Sequence, residues 1–181
     1  GFVMTTFDEH TFTLTLPITL RLAREEDLPL LEWHGQYTQF RTIFRRTYRE
    51  QLQGRRLMIL ATAQTIPIGQ IFVQLRSREQ RMASKGKRAY LYALRVMDMF
   101  RSLGIGGRLI DEAEGMVTAL EYEWTTIAVA KDNLRALQLY KRKDYQVFDE
   151  SDGDWSYTDH KGRVQSVHEP CWLLEKRLFR R

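Results

Sequence analysis

Cysteine is nearly missing from this chain: Cys171 alone stands among 181 residues, which excludes an internal disulfide framework and suits a reducing compartment. Long apolar runs are missing too. Nothing approaches the roughly 18 apolar residues of a membrane span, and the N-terminus carries Asp8 and Glu9 where a secretory leader carries basic residues ahead of an apolar stretch. The expectation is a soluble, cytoplasmic protein with no membrane partner. Metal ligands are thin, since His160, His168 and Cys171 make no standard set and no fourth ligand accompanies them; no metal is expected. Charge of one sign is not collected anywhere: 28 basic residues are interleaved with 23 acidic ones, for a net charge of +5. That mild excess suits a phosphate-bearing ligand as readily as a nucleic acid. The arginine-rich stretch at residues 41–49 also contains Glu50 and reads as a solvated helix face, so no nucleic-acid partner is expected.

What is present is enough apolar residue, 43%, to bury one sizeable core. A single domain is expected over 17–181, preceded by an extension over 1–16. "PITLRLA" (17–23) alternates with period two as a strand does, and Asp27 is placed to cap a following helix with Pro29 in its first turn. A second helix is predicted over 39–53, with Phe40, Ile43, Phe44, Thr47, Tyr48 and Leu52 on one face and Gly54 ending it. "RLMILATA" and "IGQIFVQLR" read as a hairpin joined at Gln64 to Pro67. In "RAYLYALRVM" the alternation places Tyr90, Tyr92, Leu94 and Val96 on one face and Leu91 and Ala93 on the other. A helix from about Ile105, a buried strand "WTTIAVA", a helix "NLRALQLYKRK", a short strand "YQVF" and two strand-like runs around a turn at His160 to Arg163 complete the chain. Helices between strands in the middle and hairpins at both ends predict a mixed sheet with helices on both faces.

Between the strand at 88–97 and its following helix lies "FRSLGIGGRLI". A helix beginning there exposes its first N–H groups and the positive end of its dipole, and small residues let an anion approach the backbone. Arg108, in the first turn, opposes that dipole by ~0.3–1 kcal/mol unless an anion is bound, and Arg101 stands just before the bend. A plain glycine turn with two solvent-facing arginines is the alternative. As a phosphate loop the stretch fails the Walker pattern, because Arg108 and Leu109 follow Gly107 where Lys and a hydroxyl are needed. It fails the dinucleotide fingerprint, which needs glycine where Leu109 stands and opens a parallel unit rather than following a hairpin. Arg-x-x-Gly-x-Gly after a strand matches at Arg101, Gly104 and Gly106.

That pattern, with "ITLRLAREEDLPLLEW" before it and "IAVAKDNLRALQLYKRKDYQVF" after it, resembles the GNAT superfamily of N-acyltransferases over nearly the whole chain. The resemblance implies an α/β fold with a mostly antiparallel mixed sheet, helices on both faces and a fourth and fifth strand that are parallel and splay apart. It implies acetyl-CoA as cosubstrate, an amine-bearing acceptor, and room for a homodimer. Main-chain groups of Leu94, Arg95 and Val96 would pair with the pantetheine arm. Arg101, Ser102, Leu103, Gly104, Ile105, Gly106 and Gly107 would cradle the pyrophosphate. Asn133 would touch the arm and Tyr140 would protonate the leaving thiolate; seven residues apart, they share one helix face ~10 Å apart along the axis. A helix cap for Asn133 and a core aromatic for Tyr140 are the readings that need no ligand.

The chain departs from the family's pattern at Met97-Asp98, at Arg95 and at Lys143-Asp144, and the first two touch the acceptor side. The implied reaction is attack of a neutral amine on the thioester, with Glu32 the leading candidate to take its proton, Tyr90, Tyr92 and Asp98 behind it, and a water relay as a further route. A solvated helix carboxylate is the other reading of Glu32. The acceptor is left open among small amines, aminoglycosides, peptide N-termini and lysines. A domain that only binds an acyl-CoA, as sensor or scaffold, is the rival reading. Trp155, Tyr157 and Trp172 are expected to pack a hairpin or to wall the acceptor pocket.

Overall fold

The computed structural model describes Gly1 and residues 6–179. Residues 6–16 form neither helix nor strand and leave Phe7, Phe12 and Leu14 exposed. β1 (Ile18–Leu22) then opens the sheet as its alternation predicts. The segment after it departs from expectation. Glu25–Glu32 is a 3₁₀ helix with Arg24 at its N-cap, and Asp27 lies inside its first turn rather than ahead of it. Pro29 removes a helical N–H within that segment. Asp27 instead closes a buried junction, accepting bonds from Arg21 Nη1 (2.7 Å), Arg21 Nη2 (2.8 Å) and the Arg24 N–H (2.7 Å).

Burial alone would raise the Asp27 carboxyl, but the Arg21 and Arg24 bonds prevail and hold it below its ordinary value. Its contribution is therefore complete above the ordinary carboxylate range and lost as pH falls through the depressed folded value. Asp27→Asn is expected to cost about 1.5–3 kcal/mol near neutrality, the usual scale for bonds to a charged group, and less at acid pH. Urea titrations at two pH values measure it.

α1 (Arg41–Leu52) buries Phe44 and Thr47. Leu52, expected on that face, lies at the C-terminal end of α1 and is 70% exposed. β2 (Arg56–Ala63) and β3 (Ile66–Gln74) form the predicted hairpin with a tighter turn, at Gln64 and Thr65, so Ile66 and Pro67 belong to the strand. β4 (Arg88–Val96), α2 (Ile105–Ala119), β5 (Trp124–Ala130), α3 (Leu134–Arg142) and β6 (Gln146–Ser151) follow. β7 (Asp154–Thr158) and β8 (Val164–His168) make a separate hairpin, and β9 (Cys171–Arg177) returns to the sheet between β5 and β6. The main sheet runs β1-β2-β3-β4-β5-β9-β6, parallel between β4 and β5 and antiparallel elsewhere.

Each face carries a core. Ile59, Ile71, Val73 and Leu91 meet Leu109, Ile110, Ala113 and Val117 of α2, with Tyr140 of α3 in the same cluster. Met58, Leu60 and Phe72 meet Leu31 and Phe44 on the other side. Gly69 on β3 is a point of close approach: a Cβ there would stand 3.2 Å from the Arg95 carbonyl oxygen and 3.3 Å from Leu109 Cδ1.

β4 corrects the predicted face pattern. Phe72 pairs with Tyr92 and Gln70 with Arg95, so β4 carries one residue more than β3 at this point, and Ala93 has φ +54°. A bulge of one residue exchanges the faces beyond it. Tyr92 and Arg95 therefore share one side, whereas Leu94 and Val96 pack into the α2 core. Among the described residues no helix is long and apolar enough to cross a membrane.

Candidate active site

The parallel pair of β4 and β5 is short. It holds from Arg88↔Trp124 to Leu91↔Ile127 and stops there, while β4 stays paired to β3 as far as Val96 and β5 to β9 as far as Ala130. The sheet thus opens between its two central strands. α2 begins beyond the end of β4 and α3 beyond the end of β5, so two helix N-termini flank the opening.

The loop entering α2 makes a tight, glycine-containing turn. Ser102 (φ +63°) and Gly104 (φ +85°) are left-handed, and Arg101 folds back to donate from Nε to the Val96 carbonyl at 3.2 Å, with Asp98 also 3.2 Å from its guanidinium. Gly104 caps α2 without a side-chain bond, leaving the first-turn N–H groups unclaimed by a cap. Gly106 has no internal reason to be glycine: its φ is not in the left-handed region and a Cβ there would meet nothing within 4 Å. Glycine inside a helix costs about 1 kcal/mol relative to alanine. The space beside its α-carbon at the start of α2 is open. Ile105 is buried and anchors the turn, while Arg101, Ser102, Leu103, Gly104 and Arg108 are exposed around it. Arg135, in the first turn of α3, donates to Ser102 Oγ across the opening, and Lys143 bonds Asp111 at 2.9 Å beside Gly107. Neither was among the predicted residues. Arg135 carried the same signal as Arg108, a cation in a first helical turn where it opposes the dipole.

Asn133 is the N-cap of α3, its Oδ1 accepting from the Ala136 N–H at 3.1 Å, and it remains exposed. Tyr140 is buried, its ring edge-on to Tyr145 at 6.2 Å. Its hydroxyl makes no hydrogen bond among the described residues, and burial pushes it up to about 12. Asp144 has φ +70° and completes the turn in place of a glycine.

The face of the sheet opposite α2 brings Tyr90, Tyr92 and Arg95 together with Trp33 and Tyr37. Glu32 is there, but not as a free base. Arg41 grips it with Nε and Nη2, both at 2.8 Å, and these bonds, assisted by Thr38, hold its carboxyl below the ordinary range. A base for an ammonium needs the opposite shift. Burial raises both Tyr90 and Tyr92, and Tyr92 bonds Arg56. Asp98 is exposed beside Arg101. The β7–β8 hairpin closes one side of this face: Tyr157 lies 5.0 Å from Phe40 and Thr42 donates to the Asp159 carbonyl. Its Trp155 packs on Tyr157, while Trp172 lies on β9 under Lys131. His168 pairs with Asp154 and Cys171 Sγ donates to the Glu169 carbonyl, so they do not converge on His160.

Residues 21–145 match the model of the acetyltransferase (GNAT) family. The chain belongs to the GNAT acetyltransferase family. It is an acyl-CoA-dependent N-acetyltransferase with acetyl-CoA as cosubstrate. No curated protein sequence matches significantly. Among solved structures, Arabidopsis thaliana NAA60 in complex with acetyl-CoA superposes with a TM-score of 0.68 at 18% identity, covering 89% of this chain and 98% of that one. The ribosomal-protein-S18-alanine N-acetyltransferase from Escherichia coli gives 0.67 at 15% identity, covering 91% and 96%. A spermidine N-acetyltransferase chimera from Vibrio cholerae and hSSAT gives 0.67 at 15%, covering 89% and 95%. At such identities these likenesses describe the fold, and this GNAT chain's acceptor has to be read from its own residues.

Proposed function

We propose that acetyl-CoA lies in the opening between β4 and β5, its pyrophosphate on the loop from Arg101 to Gly107 and its acetyl group beside Tyr140, and that an amine approaches from the face carrying Trp33, Tyr37 and Arg95. The observation that carries this reading is Gly106, a helical glycine whose missing side chain serves no neighbour within the chain. The loop N–H groups and Arg101 offer charge-assisted bonds to phosphate. The β4 edge past Leu91, freed from β5, offers main-chain groups along Leu94, Arg95 and Val96 to the pantetheine arm. Asn133 is exposed at the mouth of the same opening.

In the transfer, the amine nitrogen forms a bond to the thioester carbonyl carbon and the carbon–sulfur bond breaks. Main-chain donors of β4 stabilise the charge that develops on the carbonyl oxygen. Tyr140, with its hydroxyl committed to no protein group, gives its proton to the departing thiolate. The proton shed by the nitrogen passes to water, which in turn reprotonates the Tyr140 phenolate, because Glu32 is committed to Arg41 and held in its ionised, weakly basic form. The unbonded hydroxyl favours transfer over the rival role of passive acyl-CoA binding, which has no use for it. With one free thiol, Cys171, the protein is assigned to a reducing compartment.

Thermal denaturation tests the assignment. Acetyl-CoA at about 100 times its dissociation constant adds about 2.7 kcal/mol, or a rise of roughly 5–10 °C for a domain of this size. NAD at the same concentration is expected to leave the transition in place. An unmoved transition with acetyl-CoA, or a larger rise with NAD, contradicts the proposed site.

A further inference from the structure

Arg95 is the odd cation of this molecule. The other arginines that are largely withdrawn from solvent are paired with carboxylates: Arg21 with Asp27, Arg56 with Glu50 and Arg88 with Glu175. Arg95 has no carboxylate partner among the described residues. Its guanidinium lies 3.8 Å from the ring centre of Tyr37 and 4.7 Å from that of Trp33, donates from Nη2 to the buried Gln70, and leaves Nη1 buried without any hydrogen-bond partner. Aromatic faces compensate a cation only in part, and a buried N–H without an acceptor is costly. Burial accordingly pushes this guanidinium down from its ordinary value, with Tyr37 opposing.

The surroundings place this incomplete pair where the acceptor arrives. Arg95 stands on β4 beyond the point where the strand leaves β5, on the side away from α2, because of the Ala93 bulge. Gln70 fixes both features at once: its Nε2 donates to the Ala93 carbonyl at 3.1 Å and its Oε1 accepts from Arg95. The nearby carboxylates are committed, Glu32 to Arg41 and Glu50 to Arg56. Tyr37 covers Arg95 from a segment in which Trp33, His34 and Gly35 all have positive φ (43°, 56° and 94°), pinned by Trp33 Nε1 donating to the Pro67 carbonyl at 3.1 Å. Non-glycine residues are strained in such conformations, which cluster at active sites and ligand clamps. Nη1 is closed off from solvent beneath Tyr37, so pairing with a ligand requires that ring to move aside.

We infer that Arg95 recognises the acceptor, and that the acceptor is a small amine bearing its own carboxylate a few bonds from the nucleophilic nitrogen, which pairs with the guanidinium nitrogen that Gln70 leaves unpartnered. This rests on the transferase reading and narrows its substrate class. Arg95 acts on selection and orientation; the amine at the other end of the same molecule attacks the thioester. Charge pairing fixes the carboxylate end, and the committed acids explain why the site offers the amine end no competing anion to settle on.

The test measures kcat/KM with acetyl-CoA for the twenty common amino acids, their carboxamides and their decarboxylated amines, on the wild-type protein and on Arg95→Met and Arg95→Lys. Methionine suits the aromatic box and removes a buried charge but leaves Gln70 Oε1 without its donor, so melting curves and acetyl-CoA calorimetry on each variant establish that it is folded before rates are compared. Wild type is expected to favour at least one carboxylate-bearing amine over its matched amide and amine by about 10- to 100-fold, the scale of a hydrogen bond between charged groups. Arg95→Met is expected to erase that preference, bringing the carboxylate-bearing amine down to the level of its matched amide and amine within the same variant, and Arg95→Lys to keep part of it. The proposal is overturned by a wild type that favours the amides or amines, by a preference that survives Arg95→Met, or by no turnover of any amino acid while calorimetry still shows acetyl-CoA bound. Failure to bind acetyl-CoA would overturn the transferase reading itself, and this inference with it.

Discussion

Gly106→Val is expected to yield a protein that melts no lower than the wild type and binds CoA about 10³-fold more weakly. The two halves of this result have separate causes. For the fold, the new Cβ meets no heavy atom within 4 Å, and valine inside a helix is a few tenths of a kcal/mol better than glycine, so nothing is lost. For the ligand, a branched side chain stands over the first turn of α2, where N–H groups carry no side-chain cap. Losing two or three charge-assisted bonds, at roughly 1.5–2 kcal/mol each, removes about 4 kcal/mol, which is close to three orders of magnitude in affinity. Calorimetric titration with CoA and a melting curve on the same preparation give both numbers. Gly106→Ala, with one carbon, is expected to fall between. Unchanged affinity in a folded Gly106→Val protein would return the bend to being a turn and nothing more.

The second large effect is placed on Tyr140. Tyr140→Phe is expected to lower kcat by about 10²-fold with acetyl-CoA affinity unchanged, the lower end for a general acid, because a thiolate of pKa ~8.5 is already a fair leaving group. The structure sharpens the comparison. A core role for the hydroxyl would show as lost stability through an orphaned partner, but this hydroxyl has no partner among the described residues, so the melting temperature is expected to stay in place. Initial rates at saturating acetyl-CoA and melting curves separate chemistry from packing, and full activity would remove Tyr140 from the reaction. Because burial carries the phenol up to about 12, it stays protonated across the range in which proteins are assayed. The folded state is favoured while the phenol is protonated, and that advantage fades only as pH rises from the ordinary tyrosine value of about 10 through 12. Any alkaline loss of rate below about pH 10 therefore belongs to another group.

The features legible in the sequence were those written in neighbouring residues. The glycine bend between a strand and a helix and the Asn133 cap follow from local chemistry, and the helix and strand periods carried most of the element order. The features that were missed depend on distant partners. "RAYLYALRV" alternates without interruption, and only the register against β3, with Gln70 holding the Ala93 carbonyl, shows that the faces exchange at that residue. Asp27 has the composition of a cap and the role of a buried partner because Arg21 lies across from it on β1. Glu32 looked free to act as a base because its partner, Arg41, comes nine residues later on another element. The place of β9 between β5 and β6 is a matter of topology that no local pattern encodes.

Gly69 lies on neither side of the proposed chemistry, yet it touches both. One face of its α-carbon is closed by the carbonyl of Arg95 and by Leu109, the former on the strand of the proposed acceptor face and the latter on the helix of the proposed pyrophosphate loop. The distance between those two parts is thus gauged by a single hydrogen atom. A methyl group in its place must push one of them back by some tenths of an ångström, and transfer between bound partners is steep in distance, with ~1 Å worth about a hundredfold. Gly69→Ala is therefore expected to shift the spacing of β4 and α2 at the middle of the sheet, where the smallest residue available sets how closely they approach.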